Sequence, residues 1–270
     1  MSFKSACSFY PPCAKIGVLM ENLRERVKNL DLRETGAPKD GVLQKSDKRL
    51  FMQFLAFGKV RESAAIEQAL RQSGLEAVLY DDVNDPQGLG IVLLAEDPAV
   101  FVTEARRFFQ LPALAGLEPK PEFTMLGRTY GLGREPDLED WLLRKPRRNV
   151  FNAAWPWAIW YPLRRKPEFE TLPHADQGRI LAEHGAIGRS YGEAGYASDV
   201  RLACHGLDKN DNEFVIGLTG PDLFPLSRIV QDMRKTEQTS KYIQSLGPFF
   251  VGKVRLQNPS STEHRAPSAE

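Results

Sequence analysis

Between Arg49 and Leu256 one order of elements occurs twice, and this repeat constrains the fold more than any other feature. RLFMQFLAFG reads as a strand, RESAAIEQALRQSG as a helix with Ile66 and Leu70 on one face, and EAVLYDD as a strand. After the turn NDPQG comes the nearly continuous apolar strand LGIVLLAE. The helix AVFVTEARRFF then starts at Asp97-Pro98, and EFTMLGRTYGLG closes the half as a strand. The second half has the same order. NAAWPWAIWYPL is extended, with prolines that suit an edge or a bulge, and PHADQGRILAEHG is a helix stopped by Gly185. SDVRLACHG and EFVIGLTG are strands joined by LDKNDN. DLFPLSRIVQDMRKTEQTSKYIQSLG is one long helix, and PFFVGKVRL is the last strand. Two βαββαβ units predict an α+β fold, two ferredoxin-like halves forming one domain of the dimeric α+β barrel type. Their sheets join face to face or edge to edge.

The expected organisation follows. Residues 1–45 form a flexible N-terminal extension with a helical pattern near Val18–Leu30, 46–130 the first half, and 131–150 a linker. Residues 151–256 form the second half, and the Pro/Ser-rich residues 257–270 a disordered tail. Lys and Arg total 36 against 35 Asp and Glu. That balance argues against nucleic acid as a partner. No apolar run approaches the roughly 20 residues of a membrane span. The N-terminus lacks the roughly 7–15-residue apolar stretch of a secretory signal. Cys7, Cys13 and Cys204 make no disulfide framework, so a cytoplasmic protein is expected.

The candidate chemistry is in the second half. Ile180, Leu181 and His184 share a helix face, with His184 in the last turn before Gly185. The ordinary reading of a lone helical histidine is a core residue bonded to a carbonyl. In the long helix, Leu226, Ile229, Val230 and Met233 form an apolar stripe whose next position is Glu237. Such a carboxylate is either solvated or paired. If the two helices lie side by side, Glu237 can meet His184, fix its tautomer and make Nε2 more electron-rich for a metal. One histidine with no second protein ligand nearby suits haem iron better than zinc. In SDVRLACHG, Val200, Leu202 and Cys204 point one way, and Asp199, Arg201, Ala203 and His205 the other. Arg201 is then either a solvent-facing strand residue or a cation over a cavity that holds an anion.

EHGAIGRSY, LGPFFVGK and MRKTEQTSKY resemble the chlorite dismutase family, which includes the coproheme decarboxylases of bacterial haem synthesis. The resemblance covers roughly 50–256 and is strongest from Tyr161 onward. It implies two ferredoxin-like halves, haem (haem b or coproheme) in the C-terminal half, and a homo-oligomer, often a pentamer. By resemblance, His184 matches the proximal haem ligand and Glu237 the glutamate that bonds it. Arg201 matches the distal pocket residue and Tyr161 the tyrosine oxidised in the decarboxylases. Arg189 resembles a basic residue near the haem propionates, a role also open to Arg164, Arg165 or Lys166. The implied activity is cleavage of peroxide or a chlorite-like oxyanion at haem. The alternatives are coproheme decarboxylation, or a non-catalytic haem carrier, sensor or haem-less scaffold.

This chain departs from the family pattern twice. His184 and Arg201 stand 17 positions apart, four more than the family's usual spacing, with the insertion placed in GEAGYA (192–197). A strand register shifted by two would put Asp199 in the pocket instead of Arg201. The adjacent tryptophans that chlorite dismutases carry before the histidine are absent from PEFETLP. Among the other motifs, HGLDKND reads as a hairpin turn, RKPRRN (144–149) as a solvated linker, and Cys204 as a buried, inert thiol. His205, on Arg201's strand face, is either a strand-end surface histidine, the ordinary reading, or a second polar residue of the pocket.

Overall fold

A computed structural model describes residues 30–259. It separates Met1–Arg33, of which residues 30–33 are described, from the unit that begins at Glu34. Apart from Leu30, the helical pattern at Val18–Leu30 lies outside the described residues, as do 260–270.

The second unit opens with a hairpin of β1 (Glu34–Lys39) and β2 (Val42–Ser46). It turns on Asp40-Gly41, whose φ values of 52° and 80° suit a two-residue hairpin turn. The hairpin occupies part of the expected flexible extension. The Glu34 carboxylate anchors it by accepting from Arg128 Nη1 at 2.7 Å and from the Gly131 N–H at 2.9 Å.

The first half runs β3 (Phe51–Gly58), α1 (Ser63–Gln72), β4 (Glu76–Asp82), β5 (Leu89–Ala95), α2 (Glu104–Phe109), β6 (Glu118–Pro119) and β7 (Met125–Arg128). Burial alternates strictly along β3, while every residue of β5 is buried. Both patterns follow from a sheet covered on two faces. A helix α3 (Lys145–Val150) precedes the second half. That half runs β8 (Trp157–Arg165), α4 (His174–Glu193), β9 (Ser198–Ala203), β10 (Phe214–Gly220), α5 (Leu223–Met233), α6 (Glu237–Tyr242), β11 (Ile243–Leu246) and β12 (Phe250–Asn258).

The strand orders β7-β3-β5-β4 and β12-β8-β10-β9 are the same ferredoxin-like order, and all pairings are antiparallel. The halves join edge to edge. β12 pairs with β4 over Gly252–Asn258, and β7 meets β9 at Arg128 opposite Ala203. Because β8 also pairs with β10, the eight long strands close into a barrel without free edges. Phe54, Tyr80, Trp160 and Phe250 fill its interior, with Phe54 and Phe250 ring centroids 4.8 Å apart. A Cβ on Gly217 would lie 2.4 Å from the Trp160 ring, so only glycine lets β10 pass that indole.

Three local expectations change. The expected linker at 131–150 is partly helical and partly buried. A π-helical turn (Asp140–Arg144) leads into α3, and Leu138, Leu142, Leu143 and Val150 join the barrel's interior cluster. Within RKPRRN, Arg147 is buried and its Nε donates to Glu76 at 2.7 Å, while Arg148 pairs with Asp140. α4 does not stop at Gly185. It continues to Glu193, and the left-handed glycine that ends it is Gly195, at φ 71°. A glycine stops a helix only when it leaves the helical φ; inside the helix it costs about 1 kcal/mol relative to Ala. The expected long helix breaks at Thr236. This residue caps α6 by accepting from the Thr239 N–H, and Ile243–Leu246 turns into strand beside β8. Pro162 lies where the neighbour of β8 changes from β12 to β11, so its missing N–H interrupts no ladder.

Candidate functional site

Strand alternation sends Val200, Leu202 and Cys204 into the barrel and Asp199 and Arg201 outward, as the sequence predicts. On β8, Trp160 faces the interior while Ile159 and Tyr161 face out. Between this outer face and helices α4–α6 lies a cavity that opens to solvent. His184, Arg201, Asp199, Tyr161, Arg165 and Gln238 line it.

His184 sits in the middle of α4, not in its last turn. Its Nδ1 lies 3.4 Å from Thr236 Oγ1. The Thr236 hydroxyl already donates to the Met233 carbonyl at 2.8 Å, so toward the imidazole it can only accept. That arrangement places the ring proton on Nδ1 and leaves the Nε2 lone pair free. Burial, helped by the charges of Arg201 and Arg165, lowers the His184 pKa to about 4 against the opposing pull of Asp199. The ring is neutral at pH 7. Gly185 and Gly188 keep the helix bare beside it. A Cβ on Gly185 would meet nothing within 4 Å, and one on Gly188 would come 3.9 Å from Arg201 Nη2. The Arg201 guanidinium therefore reaches across to α4, one turn from His184.

Glu237 does not meet His184. Its carboxylate accepts from Arg179 Nη1 at 2.7 Å and Lys241 Nζ at 3.3 Å, and its own N–H donates to Glu183. The break at Thr236 changes the helical phase, so the stripe that ends at Met233 does not extend to Glu237; the threonine one position earlier takes that place. Thr236 went unflagged in the sequence; the preference of hydroxyl residues for helix N-caps is the signal that could have found it. Arg189 is exposed and does not line the cavity. Five positions at about 100° each put it roughly 140° round the helix from His184. Arg164 bonds the Asn210 carbonyl at 2.8 Å, and neither it nor Lys166 lines the cavity. His205 packs against Phe214 instead of lining the cavity.

Arg201 and Asp199 are both present in the cavity, two apart on one strand face, and the Arg201 Nε–H donates to the Asp199 carboxylate. The either-or between them dissolves into an ion pair. Arg165 stacks its guanidinium over Phe214 at 4.5 Å and Phe169 at 4.8 Å, and its buried Nε has no hydrogen-bond partner. Gln238, which the sequence did not flag, is buried with Oε1 unpartnered. Tyr161 is buried against Phe249 at 4.7 Å, and burial raises its pKa. Among the described residues no group of three or more His, Cys, Asp or Glu side chains is placed to hold a metal ion. A metal at His184 must therefore bring further ligands with it. No helix among the described residues is long and apolar enough to cross a membrane.

Residues 142–255 match the sequence model of the chlorite dismutase family. Over 100 residues, 36% of this chain, the sequence is 28% identical to the coproheme decarboxylase of Mycolicibacterium smegmatis, and the match spans 40% of that relative's length. A heme-binding protein from Thermus thermophilus superposes with a TM-score of 0.61 at 18% identity, covering 83% of this chain and 92% of that one. A chlorite dismutase from Candidatus Nitrospira defluvii gives 0.61 at 13% identity, covering 78% and 93%. The two structural matches speak for the fold. The half of the chain that carries the cavity is similar in sequence to the chlorite dismutase family.

Proposed function

We propose that this chain is a haem-binding oxidoreductase that holds haem b or coproheme through His184 Nε2 and acts on peroxide or a small oxyanion. The observation that carries this is the state of His184: neutral, lodged in a cavity, its Nδ1–H directed to Thr236 and its Nε2 unpartnered. A ligand that carries its own metal suits this cavity, since the described residues offer no group of three or more His, Cys, Asp or Glu side chains to hold one. The α4 surface is bare at Gly185, and the orphaned Arg165 Nε and Gln238 Oε1 await polar partners. Bound haem would supply the redox-active iron. Thr236 orients the imidazole through Nδ1. Arg165, already paired through Nη1 with Glu170, offers its remaining, largely buried N–H groups to a ligand carboxylate, its planar group held by Phe214 and Phe169. Arg201 offers donors to an oxidant and to the charge that grows on its departing oxygen.

Tyr161 favours a second reading, coproheme decarboxylation with peroxide as oxidant. It is the cavity's buried phenol, able to release an electron and a proton to an oxidised site. The sequence similarity to a coproheme decarboxylase agrees with this reading. Two measurements test the proposals. In a haemin titration followed by visible absorption, wild type should saturate and His184→Ala should bind markedly more weakly; equal binding, or none by either, refutes the site. Coproheme plus peroxide should yield the decarboxylated product by mass only if the second reading holds.

A further inference from the structure

We infer that Asp199 is a positioning residue that holds and neutralises Arg201, so that the cavity accepts a neutral peroxide in preference to an anionic oxidant. The inference rests on the haem reading of the cavity given above. β9 places the two side chains on one face, both line the cavity, and the Arg201 Nε–H is committed to the carboxylate. The pair is largely buried, with side chains 29% and 23% exposed, so water screens it poorly. A small anion approaching the remaining N–H groups of Arg201 meets a fixed negative charge beside the positive one. A neutral molecule can still accept hydrogen bonds from the guanidinium without that repulsion.

Lys145, the other cation near Asp199, does not release Arg201 from the pair. It lines a small adjoining cleft with both residues, and its ammonium lies 4.1 Å over the Trp141 ring. Burial raises the Asp199 pKa, but the opposing charge and hydrogen bond of Arg201 outweigh it and hold the carboxyl below its ordinary value. The negative charge is therefore present at neutral pH.

The test is azide affinity in wild type, Asp199→Asn, Arg201→Ala and the double variant, each loaded with haemin and titrated by visible absorption. Asp199→Asn should bind azide on the order of tenfold more tightly than wild type, and the gain should vanish in the Arg201→Ala background. A merely structural role for Asp199 would not produce that dependence on Arg201. Equal affinity in wild type and Asp199→Asn overturns the inference, and so does a gain that persists without Arg201. Asp199→Ser replaces the Asn variant if that one does not fold. If wild type takes up no haemin, the haem reading fails separately. The pairing is then decided on the unliganded protein by azide titration of the Arg201 Nε–H resonance in the NMR spectrum. Tighter binding by Asp199→Asn supports the inference there, and equal binding overturns it.

Discussion

Thr236→Val separates the two roles that the structure gives to one hydroxyl. Thr236 has φ −69° and ψ 154°, a backbone conformation that valine adopts readily, and is 1% exposed, so the change removes the oxygen while nearly preserving volume. It deletes the 2.8 Å bond to the Met233 carbonyl, which keeps the Thr236 backbone N–H as its partner, at about 1 kcal/mol. It also deletes the 3.4 Å cap on the Thr239 N–H, which at that length contributes about 0.5 kcal/mol. A loss of about 1.5 kcal/mol should lower Tm by about 3–6 °C for a domain of this size. Without its acceptor, the His184 Nδ1–H is no longer favoured, so the ring should shift toward the Nε2–H tautomer. Nitrogen-15 spectra of the unliganded protein read that shift directly. Haemin affinity should fall on the order of tenfold, the cost expected when the group that orients a ligating histidine is removed. A variant that loses stability yet keeps the wild-type ring spectrum and haemin affinity would show that Thr236 only caps α6, and the tautomer argument would fail.

Two further outcomes follow from the site. In the unliganded protein His184 should stay neutral down to about pH 4, against an ordinary value of 6.5. The unfolded chain then takes up the proton first as pH falls, so the His184 contribution to stability is complete above pH 6.5 and drains away between pH 6.5 and pH 4. It amounts to about 3 kcal/mol in all, and His184→Gln should flatten the slope in denaturant titrations. A folded-state midpoint near 6.5 by NMR would contradict this, whereas Arg201→Ala should raise the midpoint. Gly185→Leu should stabilise α4 by about 0.8–1 kcal/mol, because the new side chain meets open space, and should weaken haemin binding tenfold or more by filling the cavity beside His184. Unchanged haemin binding by a folded variant would place the ligand elsewhere.

The repeated βαββαβ pattern and the two faces of β9 were legible in the sequence, because each depends on a short local period. Val200, Leu202 and Cys204 inside, with Asp199 and Arg201 outside, follow from alternation alone. His184, Arg201, Tyr161 and Arg165 were named from sequence, and the fold brings all four to one cavity. Arg189 failed because a contact five residues along a helix depends on angular phase. The contact partner of His184 was misassigned for a related reason. A stripe extrapolated through Lys235 and Thr236 assumes an unbroken helix, and the cap at Thr236 resets the phase. The hairpin at 34–46 was hidden because its anchors are the bonds of Glu34 to Arg128 and Gly131, far away in sequence, and the buried 138–150 segment because its apolar residues gain burial only from the barrel. Local periodicity determines which face of an element is apolar. Closure of the barrel and the packing of α4 against α5 and α6 decide which polar groups meet. Alternation along β9 already sets Asp199 beside Arg201, but only that three-dimensional closure sets Thr236 against His184, since no period within one element encodes the phase of another.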